Sequence, residues 1–220
     1  MNKFCLAILL FIVTIANAKA SADTLIAKLI NTISKEVVDP KAKFYYLHEF
    51  GGVPKFDKYD LNELKGITKA QEIPLSDFVK NVAIDTGRII WSDYNIIKAK
   101  VAREAPVKYT NSYRIIRHLP FKTPDSVMRS YRNKGIIPVR EKSGYSAQQL
   151  KIEEAKAIEQ YEKSFSIEEK HFYHFTKPVF SSDRTFVLIG LNDSDRGCLY
   201  IFKLVNGEWA KVLRYKCWVA

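Results

Sequence analysis

A series of four apolar runs in the C-terminal third restricts the fold more than any other feature of the sequence. Residues 171–180, 185–191, 198–205 and 209–219 are rich in β-branched and aromatic residues, and turn-forming residues separate them. Asn206-Gly207 stands between the last two runs, and Asn-Gly in that position is the strongest short-range sign of a β-hairpin. The runs therefore predict an antiparallel meander of about four strands.

The rest of the chain alternates helical and extended patterns. Residues 23–38 place apolar side chains on one helical face, and residues 123–135 and 146–165 have the caps and apolar stripes of a short and a longer helix. Residues 88–101 are dense in β-branched side chains, which favours extended structure. The sequence predicts an α+β fold with helices in its N-terminal and middle regions.

The N-terminus has the three regions of a secretory signal peptide. Lys3 supplies a basic start, an apolar run follows over residues 4–16, and Ala18 and Ala20 offer two cleavage sites, of which we prefer the second. The apolar run is shorter than the roughly 20 residues that a membrane-spanning helix needs. We therefore expect residues 1–20 to be removed and the protein to reach the periplasm or the extracellular space, with no transmembrane anchor.

The remaining length suits one large domain or two small ones. An apolar fraction of 47% is enough to fill a core. We expect a mixed α/β region over residues 21–145, followed by a helix and the β-meander over residues 146–220. One continuous domain over residues 21–220 is the alternative.

Cys198 and Cys217 are the two cysteines that follow the predicted signal peptide. A tight turn in the last hairpin places Cys198 opposite Tyr215 and Cys217 opposite Arg196. The two cysteines then share one face, within reach of each other if a bulge shifts the register by one or two residues. In an oxidising compartment we expect a disulfide between them. A redox or nucleophilic cysteine is the alternative, but no Cys-x-x-Cys motif supports it.

Positive charge is concentrated in one segment of a chain whose formal net charge is +11. Residues 109–147 hold eight Lys/Arg and two Asp/Glu. The candidate binding residues for an anionic partner are Arg114, Arg117, Arg129, Arg132 and Lys134. Outside the cytoplasm we expect that partner to be an anionic envelope component or an acidic protein rather than nucleic acid. A solvated basic face without a ligand is the alternative.

No motif identifies a catalytic residue, a metal site or a cofactor site. We expect the protein to bind neither a metal nor a cofactor. Glu168 and His171 have the spacing of a ligand pair on one helical turn, but there is one copy, and in a strand His171 and His174 point to opposite faces. Asn192–Gly197 resembles the start of a calcium loop, but Leu204 stands where the loop needs an acid. Gly-x-Ser-x-Gly and phosphate-binding glycine motifs are absent.

The leading interpretation is a non-enzymatic exported binding or envelope-associated module. The alternative is an exported hydrolase whose site is assembled from residues distant in sequence. A pocket that brings His171 or His174 together with Glu168, Glu169 or Asp195 would favour the hydrolase. An open aromatic and basic face, with those groups scattered, would favour binding.

Three features of the C-terminal segment occur in a fixed order: Pro178-Val179-Phe180-Ser181, then Asn206-Gly207-Glu208-Trp209, then Trp218 near the end. In this order they resemble the ending of small uncharacterised exported proteins from Bacteroidetes-type bacteria. The chain departs from those proteins at Asn192–Gly197, where they have a cysteine- and glycine-rich turn, and at Ala220, where they have serine. The resemblance implies export, a meander and a bacterial source, and it implies no activity.

Overall fold

The computed structural model describes residues 23–67, 72–105, 115–193 and 196–219, in which five α-helices and eleven strands occur. The helices are α1 (23–37), α2 (Lys58–Lys65), α3 (Leu75–Ile84), α4 (Asp125–Asn133) and α5 (Ala147–Lys163). The strands are β1 (Tyr45–His48), β2 (Phe50–Gly51), β3 (Ile89–Ile90), β4 (Ala99–Ala102), β5 (Ile115–Pro120), β6 (Ile136–Glu141), β7 (Phe172–Phe175), β8 (Val179–Phe180), β9 (Phe186–Asp193), β10 (Arg196–Val205) and β11 (Glu208–Val219). The predicted signal peptide lies outside the described residues.

The central sheet has seven strands in the order β11-β10-β9-β7-β1-β4, and β8 also pairs with β9. The expected mixture of helices and strands is confirmed, and β9, β10 and β11 are antiparallel as predicted. The sheet is larger than the predicted meander of about four strands, because β1 and β4 from the N-terminal region join it in parallel. The sheet thus joins strands from both sides of residue 146.

Both faces of the sheet are covered, and β9 shows how the sequence achieves this. Val187 and Ile189 point to the face that packs on α1, whereas Phe186 and Leu188 point to the face that packs on α2 and α3. Because successive side chains in a strand point to opposite faces, a strand buried on both sides is a continuous apolar run. The core therefore consists of two layers, one on each side of β9.

The β10–β11 hairpin contains the predicted disulfide between Cys198 and Cys217. Two irregularities shift the ladder, one between Ile201 and Phe202 and one near the cysteines. Tyr215 consequently pairs with Leu199 instead of Cys198, and Cys217 moves next to Cys198. A register shift of two residues brings the sulfurs together, as the bulge argument predicted.

The segment 88–101 is only partly extended. β3 and β4 occupy its two ends, but a 3₁₀ turn at Trp91–Asp93 lies between them. The Trp91 side chain is fully buried, so the turn carries the largest side chain of this segment into the core. No described helix is long and apolar enough to cross a membrane.

Candidate functional site

Four of the five predicted anion-binding residues lie on one supersecondary unit. Strands β5 and β6 form a separate parallel pair, and α4 connects them. Arg117 lies on β5, Arg129 and Arg132 lie on α4, and Lys134 follows directly after α4. Arg114 lies outside the described residues. We name the surface formed by β5, α4 and β6 the basic surface.

Local sequence explains how this unit forms. Met128 of α4 and Ile137 and Val139 of β6 are buried, so the helix packs its apolar side on the strand pair. Gly135 has φ +75°, a conformation that glycine adopts readily and that commonly ends a helix. Lys134 therefore lies at the C-terminal end of α4, where the helix dipole favours a cation.

The positive charge of the basic surface has few acidic neighbours. No described acid lies within ion-pair distance of Arg117, Arg129, Arg132 or Lys134. The nearby acids have other partners: Asp125 pairs with Arg140, and His118 lies 3.7 Å from Glu141 and 3.0 Å from Glu154. The excess positive charge that the sequence shows thus remains uncompensated among the described residues.

Arg132 and Arg129 differ in their surroundings although they lie three residues apart on α4. Arg129 is exposed, whereas Arg132 is half-buried and lines a pocket of about 260 Å³ between α4, β6 and α5. Arg140 and Lys156 line the same pocket, and Lys156 pairs with Glu153 at 2.9 Å. The pocket therefore has more cations than acids, and Arg132 has no described acidic partner there.

Exposed apolar side chains accompany these cations. Phe121, directly after β5, is 51% exposed, and the Lys142 Nζ atom lies 4.5 Å from the centre of its ring. Val127 of α4 and Ile115 of β5 are also exposed. Val127 is exposed because Met128 takes the buried position in this part of the helix. The basic surface combines cations with apolar and aromatic side chains.

The two histidines of β7 and the preceding turn lie apart, as the strand geometry predicted. His171 Nδ1 lies 2.9 Å from Asp193 Oδ2, and its ring stacks on Tyr173. His174 points to the opposite face of the sheet, where it stacks on His48 with ring centres 4.5 Å apart. Sequence reasoning missed His48, because the contact depends on the pairing of β1 with β7.

The nearby acids do not join these histidines in a common site. Glu168 accepts a hydrogen bond from the Lys43 amide, and Glu169 accepts one from the Ser166 amide. Asp193 is buried and also faces Arg196 at 3.4 Å, while Asp195 lies outside the described residues. Within the described ranges, no three histidine, cysteine or acidic side chains are grouped so that they could hold a metal ion.

The stacked pair of His174 and His48 predicts a pH-dependent stability. Burial, and then the proximity of His48, lower the pKa of His174 to about 4 from its ordinary value of 6.5. The unfolded chain therefore binds a proton at a higher pH than the folded chain, so stability decreases as the pH falls from 6.5 towards 4. The free energy of unfolding, measured with urea across this pH interval, should decrease towards pH 4. The decrease should be smaller in His174→Gln. An equal dependence of the unfolding free energy on pH in both proteins would contradict the role given to His174.

Comparison with known proteins gave no further guide to the site. The chain matches no family model, and the searches of curated proteins and of solved structures returned no match.

Proposed function

We propose that the protein is an exported, non-enzymatic binding module that attaches to an anionic lipid surface of the cell envelope through the basic surface. The observation that carries this proposal is that Arg117, Arg129, Arg132 and Lys134 share one unit and have no described acid within ion-pair distance. An anionic surface would supply the missing counter-charges.

The apolar side chains beside these cations favour a lipid surface over a soluble acidic partner. Phe121 is half exposed next to Lys142, and Val127 is exposed on the same helix as Arg129. Aromatic and apolar groups can enter the boundary between headgroups and acyl chains while neighbouring cations contact the headgroups.

The hydrolase alternative has less support. His171 is paired with Asp193, His174 with His48, and Glu168 and Glu169 accept backbone hydrogen bonds. These groups are scattered over both faces of the sheet and the turn before β7. Their separation favours the binding proposal over the hydrolase.

Vesicle co-sedimentation tests the proposal. The purified chain should bind vesicles that contain phosphatidylglycerol and should bind phosphatidylcholine vesicles weakly. Each cation near an anionic membrane contributes about 1 kcal/mol, so combined Arg129→Ala, Arg132→Ala and Lys134→Ala should weaken binding about 100-fold. Raising the salt concentration should weaken binding of the unaltered protein, because salt screens these interactions.

A matched control removes the same amount of charge elsewhere. Lys35, Lys58 and Lys80 are exposed on α1, α2 and α3, away from the basic surface. Replacing all three with alanine should leave most of the vesicle binding intact. Equal losses in the two triple variants would show a dependence on net charge alone, and unchanged binding in the first variant would refute the proposed site.

A further inference from the structure

The disulfide of the last hairpin has a cation placed directly on it. The Arg214 Nε atom lies 3.1 Å from Cys198 Sγ and 3.0 Å from Cys217 Sγ. No described acid pairs with Arg214, so its charge is not neutralised by a carboxylate. A disulfide sulfur is only a weak hydrogen-bond acceptor, whereas a thiolate next to a guanidinium is strongly stabilised. The contact therefore favours the reduced, ionised form of the cysteines.

The two cysteines differ in exposure. Cys217 is exposed near the end of β11, whereas Cys198 is 5% exposed. Both line an open cleft of about 490 Å³ together with Arg214 and Trp218. An incoming thiolate can reach Cys217 through this cleft, and the buried Cys198 sulfur is then the leaving group that remains beside Arg214.

The acids of this cleft already have cationic partners. Glu36 pairs with Lys211, and Asp193 faces both His171 and Arg196. An anionic thiolate approaching Cys217 therefore does not meet an unpaired carboxylate among the described residues. Arg214 and Arg196 both line the cleft and favour the approach of an anion.

We propose that Cys198–Cys217 is a thiol–disulfide exchange site for an external dithiol, and that Arg214 activates it as a positioned cation. One thiolate of the dithiol attacks Cys217 Sγ, forming a mixed disulfide and breaking the Cys198–Cys217 bond. Cys198 leaves as a thiolate beside Arg214. The second thiolate of the dithiol then displaces Cys217, so the dithiol is oxidised to its disulfide and the protein gains two electrons as two thiolates, which can take up protons.

The fold can persist when this bond is broken. Cys198 is buried, but neither cysteine belongs to the two apolar clusters that pack on the two sides of β9. Cys217 is followed in β11 only by Trp218 and Val219, and the remaining β10–β11 ladder continues from Leu199 to the turn. Exchange therefore does not require the central sheet to open.

The rate of reduction by dithiothreitol in native buffer tests this proposal, with free thiols trapped by iodoacetamide and counted by mass spectrometry. The rate of reduction should be proportional to the dithiol concentration. Arg214→Gln keeps a hydrogen-bond donor but removes the charge, so it should slow reduction about five-fold by making Cys198 a poorer leaving group. Arg214→Lys should retain most of the rate.

Arg196→Gln is the matched control. The Arg196 guanidinium lines the same cleft, but it contacts Asp193 and neither sulfur. Its removal should change the rate less than Arg214→Gln. In the reduced protein, absorbance near 240 nm measures the thiolate fraction, and Arg214→Gln should shift its appearance to higher pH. Equal rates in the Arg214→Gln and unaltered proteins, or a rate independent of dithiol concentration, would overturn the proposal.

Discussion

Replacing Trp91 with alanine is expected to lower the free energy of unfolding by about 3–5 kcal/mol, the usual cost of removing a fully buried large aromatic side chain. The Trp91 side chain is completely buried and packs on Tyr94 and Phe175. Its Nε1 atom donates to the Phe175 carbonyl at 3.3 Å, and its own amide donates to the Glu49 carbonyl. The residue thus connects the 3₁₀ turn to β7 and to the end of β1.

Urea unfolding followed by circular dichroism measures this effect. Trp218→Ala is the appropriate control, because that tryptophan is 41% exposed and lies over Gly197 on β11, an edge strand of the sheet. We expect it to cost clearly less than Trp91→Ala, since less apolar surface returns to water. Equal costs would mean that the 3₁₀ turn does not anchor the core as described.

Asp60→Ala is expected to destabilise the fold by about 2–3 kcal/mol, because it removes a buried carboxylate that accepts hydrogen bonds from an amide, a hydroxyl and an ammonium group. The Asp60 side chain is fully buried in the first turn of α2. It accepts hydrogen bonds from the Asp57 amide at 2.9 Å, from the Tyr215 hydroxyl at 3.1 Å and from Lys216 Nζ at 2.9 Å. One carboxylate therefore caps α2 and connects it to β11.

The pH dependence of the stability difference between wild type and Asp60→Ala gives a second measurement. Burial alone raises the pKa of Asp60, but the hydrogen bonds from Lys216, the Asp57 amide and Tyr215 outweigh it and leave the pKa below its ordinary value of 3.8. The carboxylate therefore stabilises the folded state above that value, and its contribution is lost as the pH falls further. The unfolding free energies of wild type and Asp60→Ala should differ by the full amount at neutral pH and should become equal in acid.

Asp93→Ala serves as the control for both Asp60 measurements, because Asp93 is an exposed acid at the end of the 3₁₀ turn. Its loss should change unfolding by no more than about 0.5 kcal/mol. A similar loss of stability in Asp60→Ala and Asp93→Ala would contradict the role assigned to the buried carboxylate. A stability loss in Asp60→Ala that persists unchanged in acid would contradict it as well.

Two residues of the C-terminal sequence features, Ser181 and Trp209, have structural roles. The Ser181 hydroxyl donates to Asp183 at 2.6 Å and accepts from the Phe186 amide at 2.9 Å, which closes the turn between β8 and β9. Trp209 donates to the Leu25 carbonyl and so holds α1 against the sheet. These contacts hold the turn between β8 and β9 and the position of α1 on the sheet.

The basic surface was predictable from sequence to the extent that it is local. Arg129, Arg132 and Lys134 are close because helical spacing and a glycine stop place them so, and the described structure keeps them on one unit. Their different burial was not predictable, because the pocket around Arg132 is formed by β6 and α5. The contact of Arg214 with the disulfide likewise depends on two bulges whose positions the sequence does not mark.

Sequence by itself determined the elements whose signals are local: the helix capped by Ser146, the β9–β11 meander with its turn at Asn206-Gly207, and the reach of Cys198 to Cys217. Only the tertiary structure decided that β1 and β4 join this meander in parallel and bring His48 onto His174. Parallel pairing has no turn to encode it, because the strands are distant in the chain and meet through burial of their shared faces.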